Sequence, residues 1–187
     1  HAVHQRAFDD VQRTGGFGAR LLGVLLDPLV DALHQRMAQP RAHRLLAVGD
    51  SITAGYGVEG PDQHCHYSAV TANATRTFAF LAAEQLGAEY QAVAWSGRGL
   101  YRNLDPLALE TMPVLYGRRL AREVTAYDPQ AYVPSTVVVN LGTNDLSSPS
   151  PDERQLHDAY LGLLQRIRAD ASDAEIVVAV GPMLSDY

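Results

Sequence analysis

Cysteine is almost absent. Cys65 is the only one, so no disulfide can form within the chain, and the count says little about compartment. Long apolar runs are missing too, and none approaches the ~20 residues that a membrane helix needs. A membrane is therefore not an expected partner. Positive charge is scarce: 15 Lys plus Arg face 21 Asp plus Glu, a formal net charge of −6. Nucleic-acid binders usually carry a basic face, so nucleic acid is not expected either. No G-x-x-x-x-G-K-[ST] occurs, which excludes phosphate-loop chemistry. No G-x-S-x-G occurs, which excludes the ordinary α/β-hydrolase nucleophile elbow. There is no internal repeat, no low-complexity tract and no visible signal peptide. The first residue is His1 and not Met, so a natural start upstream is expected.

What is present reads as a globular protein, 47% hydrophobic and 19% charged. Its 187 residues suffice for one domain and a piece of a second. From Arg44 onward the pattern alternates. Apolar runs at 44–48, 90–95, 136–141 and 175–180 read as strands. Between them, 73–86 reads as a helix with Phe78, Ala82 and Leu86 on one face. Residues 112–127 are weakly helical, and 152–170 is the clearest helix, with Leu156, Tyr160, Leu163, Leu164 and Ile167 at helical spacing. This alternation predicts an α/β fold around a parallel sheet. The first forty residues stand apart. They fit two strands around "TGGFG" or a helix capped at Asp27-Pro28 and running to Met37, with a linker at "QPRAHR".

Three loops follow the first three strands: "GDSITAGYG", "SGRGLYRN" and "GTND". In open parallel sheets, ligands bind at the carboxyl ends of strands where crossovers diverge. A first strand lying between the second and third gathers these loops. They supply the Ser51 hydroxyl, glycine N–H groups and the Asn144 amide, the parts of an acyl-transfer site. Plainer roles compete. Ser51 and Asn144 can be caps, Gly97 and Gly99 turn residues, and Asp50 and Asp145 acids or loop braces that accept backbone N–H groups. His64, Cys65 and His66 invite a metal reading, but neighbours in sequence diverge and no second pair has zinc spacing; no metal site is expected. His157 reads as a solvent-facing helix residue. "GYGVEG" matches G-x-G-x-x-G only by chance, since Pro61 and Asp62 follow instead of a helix.

The three blocks resemble the SGNH (GDSL-type) hydrolases, with Ser51, Gly97 and Asn144 at the matching positions. "GDSITAGYGVEG", "AWSGRGLYRN" and "VVNLGTNDLS" are more similar still to carbohydrate esterase family 2. The resemblance spans 44–187. It implies a three-layer, flavodoxin-like α/β fold with a parallel sheet over 41–187, incomplete at its C-terminus. It makes residues 1–40 the last strands of a β-sandwich (jelly-roll) domain plus the linker. It implies an esterase that removes acetyl groups from sugars or polysaccharides without metal or cofactor, in a secreted or cell-envelope setting. Ser51 would be the nucleophile, the Ser51 and Gly97 N–H groups with the Asn144 amide the oxyanion hole, and Tyr101 and Arg102 walls of the substrate cleft. Loop packing and a surface ion pair are equally open for those two. The family's fourth block supplies a histidine near the C-terminus. The histidines here are His1, His4, His34, His43, His64, His66 and His157, and none follows the fourth strand. The catalytic histidine is therefore read as absent from this chain. The natural chain is expected to continue past Tyr187 into an aspartate–histidine block, and residues 1–187 alone are expected to show little activity and to leave apolar sheet surface uncovered. Two rival readings stay open: an inactive carbohydrate-binding protein on the same fold, and an esterase acting on a lipid or other small ester.

Overall fold

Successive side chains of a strand leave on opposite faces, and the first strand, β1 (Arg44–Gly49), is apolar on both. Leu46 and Val48 join one buried cluster, with Val137, Val139, Met112, Leu115, Leu163 and Ile167. Leu45 and Ala47 join another, with Ala79, Ala83 and Ala88. A strand covered on both faces belongs inside a parallel sheet. The computed structural model describes residues 43–62, 64–147 and 151–182. It contains four parallel strands in the order β2-β1-β3-β4, where β2 is Glu89–Ala94, β3 Thr136–Asn140 and β4 Glu175–Val178. The expected order, with the first strand between the second and third, is observed. The reading of residues 1–40 lies outside the described residues.

One face of the sheet is covered by the long helix Glu153–Asp170, which buries Leu163 and Ile167. Asp152 caps it by accepting the Gln155 N–H at 2.9 Å, as the apolar spacing and the acidic start predict. The short helix Met112–Tyr116 packs on the same face, with Met112, Leu115 and Tyr116 buried. The weakly helical reading of 112–127 holds only for this first turn. Beyond it the backbone folds back, with Arg118 bridging Ala126 and the Arg119 N–H donating to Thr125 O at 2.9 Å. Its polar groups pair across a turn instead of along a helix.

The helix expected over 73–86 is split. A 3-10 turn spans Ala74–Arg76, and the α-helix begins at Phe78 and ends at Gln85. Asn73 and Thr77 each take the N–H two or three residues ahead, Thr75 N and Phe80 N, so each starts its own helical segment. The buried face is also different from the expected one. Ala79 and Ala83 face the sheet, while Phe78 and Leu86 are 42% and 65% exposed. Alanines let the helix lie close on Leu45 and Ala47, and Phe80 meets Tyr90 edge-on at 5.4 Å. The buried Thr77 hydroxyl accepts from Phe80 N–H and donates to Ala74 O. Thr77→Ala is therefore expected to lower the free energy of unfolding by about 1 kcal/mol, read as a shifted urea midpoint at unchanged slope.

At the edge of the sheet, Leu161, Leu164, Gln165 and Arg168 of the long helix and Ile176 and Val178 of β4 line an open, mostly apolar groove of about 430 Å³.

Candidate active site

The strand register brings the loops level. Gly49, the last residue of β1, pairs with Ala94 of β2 and with Asn140 of β3. The three following loops therefore leave from one end of the sheet. After Gly49, Asp50 turns the chain. Its Oδ1 accepts the Ile52 N–H at 3.0 Å and caps a one-turn helix, Ser51–Ala54. Asp50, not Ser51, is thus the cap. The Ser51 side chain is half-buried and makes no hydrogen bond among the described residues. Its N–H, at the first turn of a helix, has no intrahelical partner.

The second loop enters through Gly97 at φ +77°, a left-handed conformation that favours glycine. A Cβ there would meet only Leu104, at 3.9 Å, so backbone shape and not space calls for glycine. Gly99 is the reverse case: a Cβ would lie 2.0 Å from Arg102 O and 2.6 Å from Asp145 Oδ2. The third loop carries Asn144 and Asp145 in the turn Thr143–Leu146, whose cap is Gly142. Asn144 is therefore not the cap. Its Nδ2 donates to Arg98 O at 2.8 Å and lies 3.4 Å from Asp50 Oδ2. The amide thus touches the residue after Gly97 and the residue before Ser51. Ser51, Gly97 and Asn144 are gathered through these neighbours.

Asp145 is fully buried. Its carboxylate accepts the N–H groups of Leu100, Tyr101 and Arg102 at 2.9–3.0 Å. This is the loop brace left open in the sequence. Tyr101 and Arg102 are held in the same way. The Tyr101 hydroxyl accepts the Asp152 N–H at 2.9 Å, and the Arg102 guanidinium donates to Asp145 O at 3.3 Å. Both are half-buried, so loop packing describes them among these residues. Asn103, which sequence reasoning missed, closes the loop. Its Oδ1 accepts Gly99 N–H, and its Nδ2 donates to Ala108 O and Glu110 O. The only sequence signal for it is an asparagine four residues after a glycine, which is common.

The described histidines are His43, His64, His66 and His157, and none hydrogen-bonds Ser51. His157 is exposed beside Asp158, at 3.1 Å. Cys65 Sγ donates to His66 O at 3.3 Å. Among the described residues no group of three or more His, Cys, Asp or Glu gathers to hold a metal ion, and no helix is long and apolar enough to cross a membrane.

Burial pushes the Asp50 carboxyl above its ordinary pKa; the Ile52 N–H opposes this, and the charge of Asp145 adds to it. The folded state then binds this proton more tightly than the unfolded chain does. Its stabilisation is complete below the ordinary carboxylate pKa and is lost as pH rises through the raised folded value. Asp50→Asn removes that titration. Wild-type stability is expected to fall relative to the variant as pH rises from 4 to 7, measured by urea unfolding at each pH. A constant difference across that range would contradict the raised value.

Residues 47–187 match the GDSL-like Lipase/Acylhydrolase family. Cellulase/esterase CelE of Acetivibrio thermocellus is 35% identical over 78% of this chain and 18% of its own length. An acetylxylan esterase / glucomannan deacetylase of Cellvibrio japonicus is 31% identical over 83% of this chain and 42% of its own length. The solved structure of a family two carbohydrate esterase from Clostridium thermocellum, in complex with cellohexaose, superposes with a TM-score of 0.76 at 34% identity, covering 79% of this chain and 46% of that one. The chain thus spans less than half the length of each. It belongs to the GDSL-like lipase/acylhydrolase family and is similar within it to the family 2 carbohydrate esterases.

Proposed function

We propose that this chain carries the nucleophile and oxyanion site of a serine esterase that removes acetyl groups from carbohydrate. The observation that carries the reading is the Asn144 amide, buried between Asp50 and Arg98, which ties the Ser51 and Gly97 loops together. Ser51 Oγ attacks the acetyl carbonyl as its proton passes to a general base. The N–H groups of Ser51 and Gly97 and the second Asn144 N–H hold the charge that develops on the carbonyl oxygen. The sugar hydroxyl leaves with the proton, and water then releases acetate from Ser51. The base is the histidine that the fourth block of the family supplies. Similarity to an acetylxylan esterase / glucomannan deacetylase and to a cellohexaose complex supports a saccharide as the alcohol part. Such a polymer does not cross a membrane, so the reaction belongs outside the cell. Residues 1–40 we read as the end of a preceding β-sandwich domain.

The test uses the natural full-length protein. Acetate release is followed from acetylated xylan and glucomannan oligosaccharides, and nitrophenol release from 4-nitrophenyl acetate and a long-chain 4-nitrophenyl ester. Acetate from the oligosaccharides is expected. Preference for the long acyl chain would assign a lipid-like ester instead. The unbonded Ser51 favours one second reading, saccharide binding without hydrolysis; it would be supported by binding of the oligosaccharides with no release from any ester.

A further inference from the structure

Just past the Ser51 helix, the chain makes an excursion that the proposed chemistry does not use. Its two arms, residues 55–62 and 64–73, are tied together at their base. Asn73 N–H donates to Gly55 O and Glu59 N–H to Thr71 O, both at 3.0 Å. Asn73 Nδ2 donates to Glu59 Oε1 at 2.7 Å. A chain path tied in this way is held in shape, yet it shows its aromatic side chains to solvent. Tyr56 is 40% exposed and Tyr67 64% exposed, one on each arm. Their rings meet at 5.6 Å between centroids, inclined by 35°. Val58 and Val70 beside them are also exposed. Contiguous exposed apolar surface is one mark of a binding site.

The position matters. The Tyr56 N–H donates to the backbone carbonyl of Ser51 at 3.0 Å, so the first arm starts directly on the C-terminal end of the Ser51 helix. The charge around the pair also selects among ligands. Glu59 and Asp62 lie on the first arm, and no Lys or Arg occurs between Gly55 and Ala74. A phosphate, a sulfate or a uronic acid would meet the Glu59 and Asp62 carboxylates with no Lys or Arg on the excursion to offset them, its basic groups being the imidazoles of His64 and His66. A neutral sugar ring fits both features. Its C–H face packs on an aromatic ring, and its hydroxyls donate to carboxylates.

We propose that Tyr56 and Tyr67 form a stacking platform for neutral sugar rings next to the ring whose ester Ser51 attacks. This rests on the reading of the site as a carbohydrate esterase and extends it. The platform acts on the polymer chain and not on the acetyl group, so it separates small from polymeric substrates.

The test compares full-length wild type with Tyr67→Ala and Tyr67→Phe. Tyr67 is mostly exposed, so neither change disturbs the core. Binding of xylohexaose and cellohexaose is measured by titration calorimetry, independently of hydrolysis. Tyr67→Ala is expected to weaken binding about tenfold, the scale of one lost aromatic contact, while Tyr67→Phe binds as wild type. Where hydrolysis is seen, KM for acetylated xylo-oligosaccharides rises in Tyr67→Ala by the same factor, with kcat/KM for 4-nitrophenyl acetate unchanged. Equal binding by wild type and Tyr67→Ala, or no saccharide binding by wild type, would overturn the platform. So would Tyr67-dependent binding to phosphatidylcholine vesicles without saccharide binding. A lack of esterase activity alongside Tyr67-dependent saccharide binding would overturn only the hydrolytic reading.

Discussion

Ser51→Ala in the full-length protein is expected to lower kcat for acetate release by about 10⁶-fold, the scale on which serine nucleophiles fail when removed. The expectation is sharp because the other work a serine could do here is already done. Asp50 caps the helix Ser51–Ala54 through its own carboxylate. The Ser51 hydroxyl has no hydrogen-bond partner among the described residues. Removing it breaks no hydrogen bond among the described residues, and alanine is the best helix former. The variant should unfold at the same denaturant concentration as wild type and bind unacetylated oligosaccharide equally well. Loss of activity with stability and binding intact separates a nucleophile from a structural residue. If Ser51→Ala still released acetate at a tenth of the wild-type rate, the nucleophile would have to be sought elsewhere.

The sheet was legible because its strands are apolar on both faces. "RLLAV" and "TVVVN" admit few readings other than buried parallel strands. The long helix was legible for a related reason, the regular spacing of Leu156 to Ile167. Where side-chain oxygens compete for backbone N–H groups, the pattern was misleading. Asn73 and Thr77 cut one expected helix into two segments, and its buried face turned out to be alanine and not Phe78 and Leu86. Tertiary packing chose the small residues, which no periodicity shows. At the site, the three blocks put the chemistry at the right strand ends. They did not say which side chain does which task. Asp50 against Ser51 and Gly142 against Asn144 as caps are settled by local backbone geometry, and Asp145 as brace depends on partners 43–45 residues away in sequence. Asn103 was invisible for the same reason, since its value lies in three backbone groups that only the folded loop brings together.

Asn144→Ala is expected to lower kcat by about 10²–10³, the usual cost of one oxyanion donor, with KM little changed. Its two N–H groups are engaged unequally. One is committed to Arg98 O at 2.8 Å. The other donates to Asp50 Oδ2 at 3.4 Å, a bond long enough to be exchanged for one to the negative charge that exists only in the transition state. An interaction made only there shows in kcat and not in KM. The same geometry gives a discriminating control. Asn144 also helps to hold the Arg98 carbonyl, so its loss could act through the Gly97 loop alone. That loop is held independently by Asp145, which accepts three consecutive N–H groups from Leu100 to Arg102. Asn144→Ala should therefore keep the loop in place and lose only the donor. Asn144→Asp keeps the shape but replaces the donor with an acceptor beside Asp50 and Asp145, and should be at least as inactive as alanine. Equal kcat in wild type and Asn144→Ala would assign the amide to loop structure. A raised KM at unchanged kcat would assign it to ground-state binding of the sugar.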